Sequence, residues 1–571
     1  MTDTQVAEIR LILDLVYDHE AQLPDQVLLT QPFGGGQIVD YTWAQTLDQS
    51  RRMATHLKSL GFPPGARIAL LAKNSAHFIM AELAIWMAGG TTVAIFPTES
   101  AENVRFVLEH SEASLLFIGK LDTWEQQKSA IPAGLPCIAL PLAPAIERTD
   151  LPAGFDTWDA IVARTGPMGG RPSRGADDLA MLLYTSGSTG QPKGVMQSFG
   201  TVTRATEGIV NDQHATQSPE HGTRVLSYLP LAHVFERAWV ECLALMSGQT
   251  HVFFSESLAT FMDDIKRARP TAFISVPRLW TKFQHAVHAH MPAAQLDAML
   301  GNPAMAGAVG KKVLASLGLG EVLRAGSGSA PLPVEVLQWY LRLGLNLVEG
   351  YGMTEDFAYS HISAEGSREP GYVGLPYAGV QLRLADDGEI LIKSPGQLVG
   401  YYKLPELSAE SFTEDGFFRT GDLGERNAAG LLKLTGRKKE LFKTAKGKYI
   451  APSPIENRLN AHPMVELSLV SGVGQNFPYA MVMLDETLRP RLGDAAVRAD
   501  VDTQLAQLLH DVNAQLASHE RLQMLVVATE PWSIENGFLT PTMKIKRSRI
   551  EADVAQQVNA WYGAAGPVIW A

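Results

Sequence analysis

Residues 182–198 read LLYTSGSTGQPKGVMQS, an apolar run opening into glycines, serine and threonine hydroxyls and one lysine. Gly187 and Gly190 permit close backbone approach to a bound group. Successive N–H groups of such a turn cup an anion, and Ser186, Ser188, Thr189 and Lys193 add donors. The chemistry this suits is phosphate holding. It is not a Walker A loop: counting from Gly187 the sixth position is Pro192, and Lys193 is followed by Gly194 instead of a hydroxyl residue. On composition alone a flexible surface turn is an equal reading.

A second cluster, EGYGMTED at 349–356, sets a flat aromatic face (Tyr351) beside a hydroxyl (Thr354) and a hard oxygen ligand (Glu355). A carboxylate of that kind suits Mg²⁺ at phosphates, although an isolated one is ordinarily a cap or a solvated charge. AGSGSAPLP at 325–333 has Gly326 and Gly328 but no third glycine at dinucleotide-binding spacing, which excludes that fold motif. His233, in PLAHVFER, stands among apolar residues, where a lone histidine is more often packed than catalytic.

The elements that must position these groups alternate. RIALLA precedes the helical pattern AHFIMAELAIWMAGG, TTVAIF follows it, and TAFISV leads into PRLWTKFQHAVHAHM. Short apolar runs between longer amphipathic ones predict α/β layering with much parallel sheet. The Pro- and Gly-rich stretch 131–174 is expected to be irregular surface structure. Near Gly421 the texture changes, with a turn at NAAG, a short strand, a basic cluster and then two compact α/β stretches. With 571 residues the chain exceeds one core. We expect an α/β protein with a large N-terminal domain of layered subdomains, residues 1–436, and a small, mobile α+β C-terminal domain, residues 437–571.

Composition narrows the class. The chain is 46% hydrophobic with a net charge of −12, so a general nucleic-acid binder is not expected. Two cysteines, Cys137 and Cys242, provide neither a disulfide framework nor a thiolate cluster. The apolar run 83–96 is too short to span a bilayer and is broken by Gly89 and Gly90; a buried helix followed by a strand is expected. The opening residues carry acids early and no basic leader, so a cytoplasmic location is expected, with peripheral membrane contact left open. Oligomeric state has no signature here.

YTSGSTGQPKGV resembles the signature of the adenylate-forming enzymes, a superfamily that includes acyl-CoA synthetases, luciferases and peptide-synthetase adenylation domains. YLPLAHVFER, AGSGSAPLP, EGYGMTE, FFRTGDLG, LTGRKKELFKT and GFLTPTMKIKR follow in the family's order between Tyr184 and Arg547. The resemblance implies two steps: a carboxylate attacks the α-phosphorus of ATP, giving acyl-adenylate and pyrophosphate, and a thiol then displaces AMP. It places Thr185, Ser186, Gly187, Ser188, Thr189, Gly190 and Lys193 at the phosphates, and Gly328, Glu349, Gly350 and Tyr351 around adenine. Thr354 would meet the α-phosphate, Asp422 and Arg437 the ribose, and Thr185 with Glu355 the Mg²⁺ ion. His233 would orient the acid; an ionised carboxylate requires no base at neutral pH.

Lys544, in TPTMKIKR, is implied as the cation at the bridging oxygens during adenylation, in preference to Lys546; Met543 stands where the family more often has glycine. Lys439 would be the hinge of the small domain, with Lys443 and Lys448 on the CoA side. The variants of these motifs look most like long-chain acyl-CoA synthetases, with Phe235, Trp239 and Trp280 as candidate acyl-channel residues. Medium-chain or aryl-alkyl acids, and transfer to a carrier-protein pantetheine instead of free CoA, are the alternatives. Mg²⁺, ATP and CoA are thus the expected cofactor and co-substrates.

Overall fold

The computed structural model describes residues 9–146, 155–185, 191–214 and 222–571. Its central feature is an eight-stranded sheet in the order Gly400–Tyr401, Lys193–Ser198, Leu179–Thr185, Thr91–Ile95, Arg67–Leu71, Leu115–Ile118, Cys137–Ala139, Phe155–Thr157. Six of these strands run parallel, from Leu179–Thr185 to Phe155–Thr157. Strands covered on both faces need continuous apolar sequence, which is why RIALLA and TTVAIF show no alternation. The intervening helix Ala76–Met87 is buried on every side, matching the apolar run expected to form a core helix and strand. No helix among the described residues is long and apolar enough to cross a membrane.

The sheet turns antiparallel at the phosphate-type segment. Leu179–Thr185 pairs with Lys193–Ser198 in the register Tyr184↔Gly194 and Thr185↔Lys193, so a hydroxyl and an ammonium face each other across the two strands. Residues 186–190, which hold five of the sequence-predicted phosphate contacts, lie outside the described residues.

A second sheet, Ala272–Ser275, Arg324–Ser327, Leu347–Tyr351, His361–Ile362 and Leu375–Pro376, brings the AGSGSAPLP and EGYGMTED segments to adjacent strand ends. A third, antiparallel sheet ends on the hairpin Phe418–Arg426 and Leu432–Arg437. A four-stranded sheet, Val465–Ser471, Tyr479–Leu484, Leu525–Val527 and Val568–Trp570, forms the C-terminal unit around its own apolar clusters. The fold is therefore mixed α/β with a large N-terminal part and a separate smaller C-terminal one.

The stretch 131–174 departs from the irregular structure expected of it. Cys137–Ala139 and Phe155–Thr157 extend the large sheet, and the helix Trp158–Arg164 buries Trp158 and Ile161 completely. Three-residue strands are too short to show periodicity, so the Pro and Gly content dominated the sequence signal.

One glycine locks two of these sheets together. Gly374 has φ +90°, and a Cβ there would lie 1.9 Å from the carbonyl oxygen of Ile362. Its own carbonyl accepts the N–H of Leu432 at 2.9 Å, beside the sheet that carries the site hairpin. Gly374→Ala is expected to lower stability by about 2 kcal/mol, through a strained φ and a backbone clash with no flexible neighbour to yield. Denaturant midpoints at constant m-value check this.

Candidate active site

The sheets and the C-terminal unit enclose a cleft of about 2330 Å³. Every described residue assigned to ATP, the metal or the orientation of the carboxylate lines it: Thr185, Lys193, His233, Gly328, Glu349, Gly350, Tyr351, Thr354, Glu355, Asp422, Arg437 and Lys544. These come from six separate chain segments, brought together by strand ends, turns and one hairpin.

The hairpin explains the Asp422 and Arg437 pair. Fifteen positions apart in sequence, they are directly opposed across Phe418–Arg426 and Leu432–Arg437. Arg437 Nε donates to Asp422 Oδ1 at 2.8 Å, and the Tyr351 hydroxyl donates to Oδ2 at 2.8 Å. The carboxylate beside it raises the Arg437 guanidinium pKa further. With 55% of its side chain exposed, Arg437 adds at most about 1 kcal/mol to stability through this pair. Its worth lies in geometry: Asp422 is held at the cleft wall and the Tyr351 ring is fixed in orientation.

The segment after strand Leu347–Tyr351 forms a tight turn. Asp356 Oδ1 accepts the Met353 N–H at 2.8 Å, and Phe357 and Ala358 both take left-handed backbone angles. Gly352 is required here, because a Cβ would meet the Ala358 backbone at 2.9 Å. Gln197 Nε2 donates to the Thr354 carbonyl at 3.0 Å and the Leu398 N–H to that of Glu355 at 2.7 Å. Thr354 and Glu355 are thereby turned toward the cleft while Asp356 is buried. Glu349 is almost wholly buried: Oε1 accepts the Leu332 N–H at 2.9 Å, Oε2 has no partner, and burial raises its pKa to about 7. It ties this segment to the AGSGSAPLP turn.

Tyr401 is the residue the sequence did not flag. Its hydroxyl donates to Glu355 Oε1 at 2.9 Å, and its ring lies 5.6 Å from the Lys193 ammonium. It sits in strand Gly400–Tyr401, paired with the Lys193 strand at Tyr401↔Val195, so the partner carboxylate and ammonium are 162 residues apart in sequence. A tyrosine in VGYYKLPE has no local feature to mark it.

Glu355 and Thr185 provide hard oxygen donors of the kind Mg²⁺ takes, and Tyr401 orients one of the Glu355 oxygens. Among the described residues no cluster of three or more His, Cys, Asp or Glu could hold an ion unaided. The donor set fits an ion completed by phosphate oxygens, the usual manner for Mg²⁺.

His233 is held by a buried polar network. Asn74 Nδ2 donates to the Leu229 carbonyl and Oδ1 accepts the Leu231 N–H; Glu236 Oε1 accepts from Ser227 and the Tyr228 N–H. Arg237 is fully buried between Glu82 and Glu241, and its Nε donates to the Leu231 carbonyl. His233 Nδ1 accepts the Phe235 N–H at 3.2 Å, leaving the ring proton on Nε2. Burial, with Lys544 nearby, pushes the His233 pKa down to about 3. A neutral Nε2–H donor can orient a carboxylate and cannot act as a proton acceptor there.

Lys544 enters from the C-terminal unit on a turn in which Thr540 N–H donates to its carbonyl at 2.8 Å. Met543 precedes it with φ +61° and 41% exposure, the left-handed conformation that favours glycine. The lysine side chain is exposed to the cleft yet has protein around it; burial and the Arg437 charge hold its pKa below the usual lysine range. Arg437, Asp422, Glu440 and His233 are all within its electrostatic reach.

The remaining assignments divide. Phe235 and Trp239 line the cleft, but Trp280 does not: it is wholly buried against Phe273 and Tyr340. Its amphipathic helix turns that side inward, so the acyl-channel expectation for Trp280 is corrected to a core role. Lys439 lines the cleft, whereas Lys443 and Lys448 are exposed around the small hairpin outside it. Lys438 pairs with Asp387 at 2.6 Å and Glu389 at 3.2 Å, anchoring the chain just before Lys439.

Comparison with known proteins matches this architecture. The AMP-binding enzyme family matches residues 17–402, and its C-terminal domain matches 440–566. The chain belongs to the AMP-binding enzyme family. Members activate an acid as its adenylate, and that is the reaction class of this chain. It is 31% identical to the long-chain-fatty-acid–CoA ligase FadD15 of Mycobacterium bovis, covering 98% of both chains. It is 29% identical to human long-chain-fatty-acid–CoA ligase 1, covering 91% of this chain and 82% of that one. The A domain of carboxylic acid reductase from Segniliparus rugosus, solved with AMP and a co-purified carboxylic acid, has the same fold. There the TM-score is 0.80 at 23% identity, over 97% of this chain and 94% of that one.

Proposed function

We propose that this AMP-binding enzyme converts a long-chain fatty acid to its CoA thioester. Attack of a carboxylate oxygen on the α-phosphorus breaks the bond to the bridging oxygen and releases pyrophosphate. The CoA sulfur then attacks the acyl carbon, AMP leaves, and the thiol proton passes to solvent. The observation that carries the first step is the convergence of Lys544 with Asp422, Arg437 and His233 in one cleft.

In this reading Asp422 and Arg437 hold the ribose, Tyr351 stacks on adenine, and Lys193 and Thr185 meet the outer phosphates. His233 Nε2–H and Thr354 align the acid with the α-phosphorus, and Lys544 stabilises charge that grows on the bridging oxygen. Mg²⁺ held by Glu355 and Thr185 would neutralise phosphate charge. We place the boundary between the large domain and the mobile one at Arg437, with Lys439 as hinge and Lys443 and Lys448 brought toward CoA by rotation.

The long-chain preference is supported by the similarity to long-chain ligases and by apolar lining at Phe235, Trp239, Ile274, Val348, Ile362 and Val373. Incubation with ATP, Mg²⁺, CoA and a C8–C18 acid panel is expected to release pyrophosphate most rapidly at C14–C18 and to yield acyl-CoA. Acyl-AMP accumulating without thioester would assign a carrier-protein acceptor; a maximum at C8 or with aryl acids would replace the long-chain reading.

A further inference from the structure

The helix Pro277–His290 has two differently occupied faces. Trp280 and Phe283 are buried in the core of the large domain, with Val287 packed against it, so the helix cannot roll. Arg278, Lys282 and His285 recur at i, i+4 and i+7 and line the cleft toward the C-terminal unit. That unit presents acids there. Arg278 forms an ion pair with Glu466, whose side chain is only 8% exposed, and Arg489 approaches the same carboxylate at 3.2 Å. Lys282 pairs with Glu486 at 2.8 Å. His285 lines the cleft beside them, and burial holds its pKa below the usual histidine range. Two cations on a fixed helix therefore oppose two acids, Glu466 and Glu486, at one rim of the unit that carries Lys544.

We infer that Arg278 and Lys282, through Glu466 and Glu486, form a clasp that holds the C-terminal unit where Lys544 occupies the cleft. The proposed function gives none of these four side chains a nucleotide or acid contact; they position Lys544, and the inference rests on the reading of Lys544 as the adenylation cation. The acids belong to Val465–Ser471 and to the turn after Tyr479–Leu484, within the sheet whose core is separate from that of the large domain. Opening the clasp costs the ion pairs, and among the described residues no apolar cluster spans the two units. A network of this kind, with one partner nearly buried, couples more strongly than isolated surface pairs.

The test compares full-length Arg278→Glu, Arg278→Lys and Arg278→Glu/Glu466→Gln with the parent chain. Dyes at Lys311→Cys and Asp500→Cys report the distance between units; both sites are exposed, while Cys137 and Cys242 are buried. Arg278→Glu is expected to lower energy transfer and to slow ATP–pyrophosphate exchange with palmitate about tenfold, the size of a contact coupling lost and reversed. Thioester formation from synthetic palmitoyl-AMP and CoA is expected to be undiminished. Arg278→Lys retains the parent behaviour, and Glu466→Gln in the Arg278→Glu background removes the repulsion without restoring the ion pair, so it recovers part of the loss and not all of it. Unchanged energy transfer, equal loss in both half-reactions, or no recovery in the double variant would overturn the clasp. Changed energy transfer with unchanged exchange would uphold the clasp and overturn the Lys544 reading instead.

Discussion

Lys544→Ala is expected to slow pyrophosphate release from ATP and palmitate by about 10²–10³, the loss typical of removing one preorganised charge-stabilising donor. An ionised acid and a triphosphate repel, and further negative charge collects on the oxygen that leaves with pyrophosphate. Lys544 is the cation that reaches the Asp422, Arg437 and His233 side of the cleft from the C-terminal unit. It does so on a turn that keeps Met543 in a left-handed conformation, strain that a purely solvated lysine would not require. Thioester formation from preformed palmitoyl-AMP has no such leaving group, so that half-reaction is expected to change less than threefold, an upper limit of about 0.7 kcal/mol. Lys546→Ala is the discriminating comparison: two residues on, its N–H is bonded to the Phe538 carbonyl, and its loss should leave pyrophosphate release within threefold of the parent, again about 0.7 kcal/mol. Equal losses for the two lysines, or a Lys544→Ala loss shared by both half-reactions, would remove the assignment.

How far such a site can be read from sequence depends on where each residue's partner lies. Thr354 and Glu355 were legible because the tight turn around Gly352 is local, and the residues that shape it are neighbours. Asp422 and Arg437 were legible as separate motifs, but the ion pair between them depends on hairpin register, which no single motif encodes. Tyr401 was invisible: its partners Glu355 and Lys193 are 46 and 208 positions away, and strand pairing alone brings the three together. Trp280 failed for the opposite reason. An aromatic on an amphipathic helix reports that one face is buried, not whether it faces a channel or a core. The same limit hid the two outer strands in 131–174, each three residues long. Parallel-sheet strands and the wholly buried helix Ala76–Met87 were plain because burial on both sides leaves long apolar runs.

Tyr401 also shapes what happens at Glu355. Glu355→Gln preserves the side-chain outline and its contact with the Tyr401 hydroxyl but removes the charge a hard cation needs. The turn beneath it should persist, since Gln197 and Leu398 bond to the carbonyls of Thr354 and Glu355 and not to their side chains. A glutamine oxygen is a poor substitute for carboxylate toward Mg²⁺, an ion that sheds water reluctantly. Adenylation is therefore expected to fall about 10²-fold, in line with loss of one electrostatic element of phosphate activation. Calorimetry separates this from a folding defect: ATP with Mg²⁺ should bind about tenfold more weakly, while ATP without Mg²⁺ binds no more weakly than to the parent, because a negative charge near the phosphates is gone. Tyr401→Phe keeps the carboxylate and loses only its orienting hydroxyl, so a loss of about fivefold is expected, roughly one net hydrogen bond. If Glu355→Gln leaves the Mg²⁺ dependence of ATP affinity unchanged, Glu355 serves the turn and not the ion, and the divalent charge must be held from elsewhere on the cleft wall.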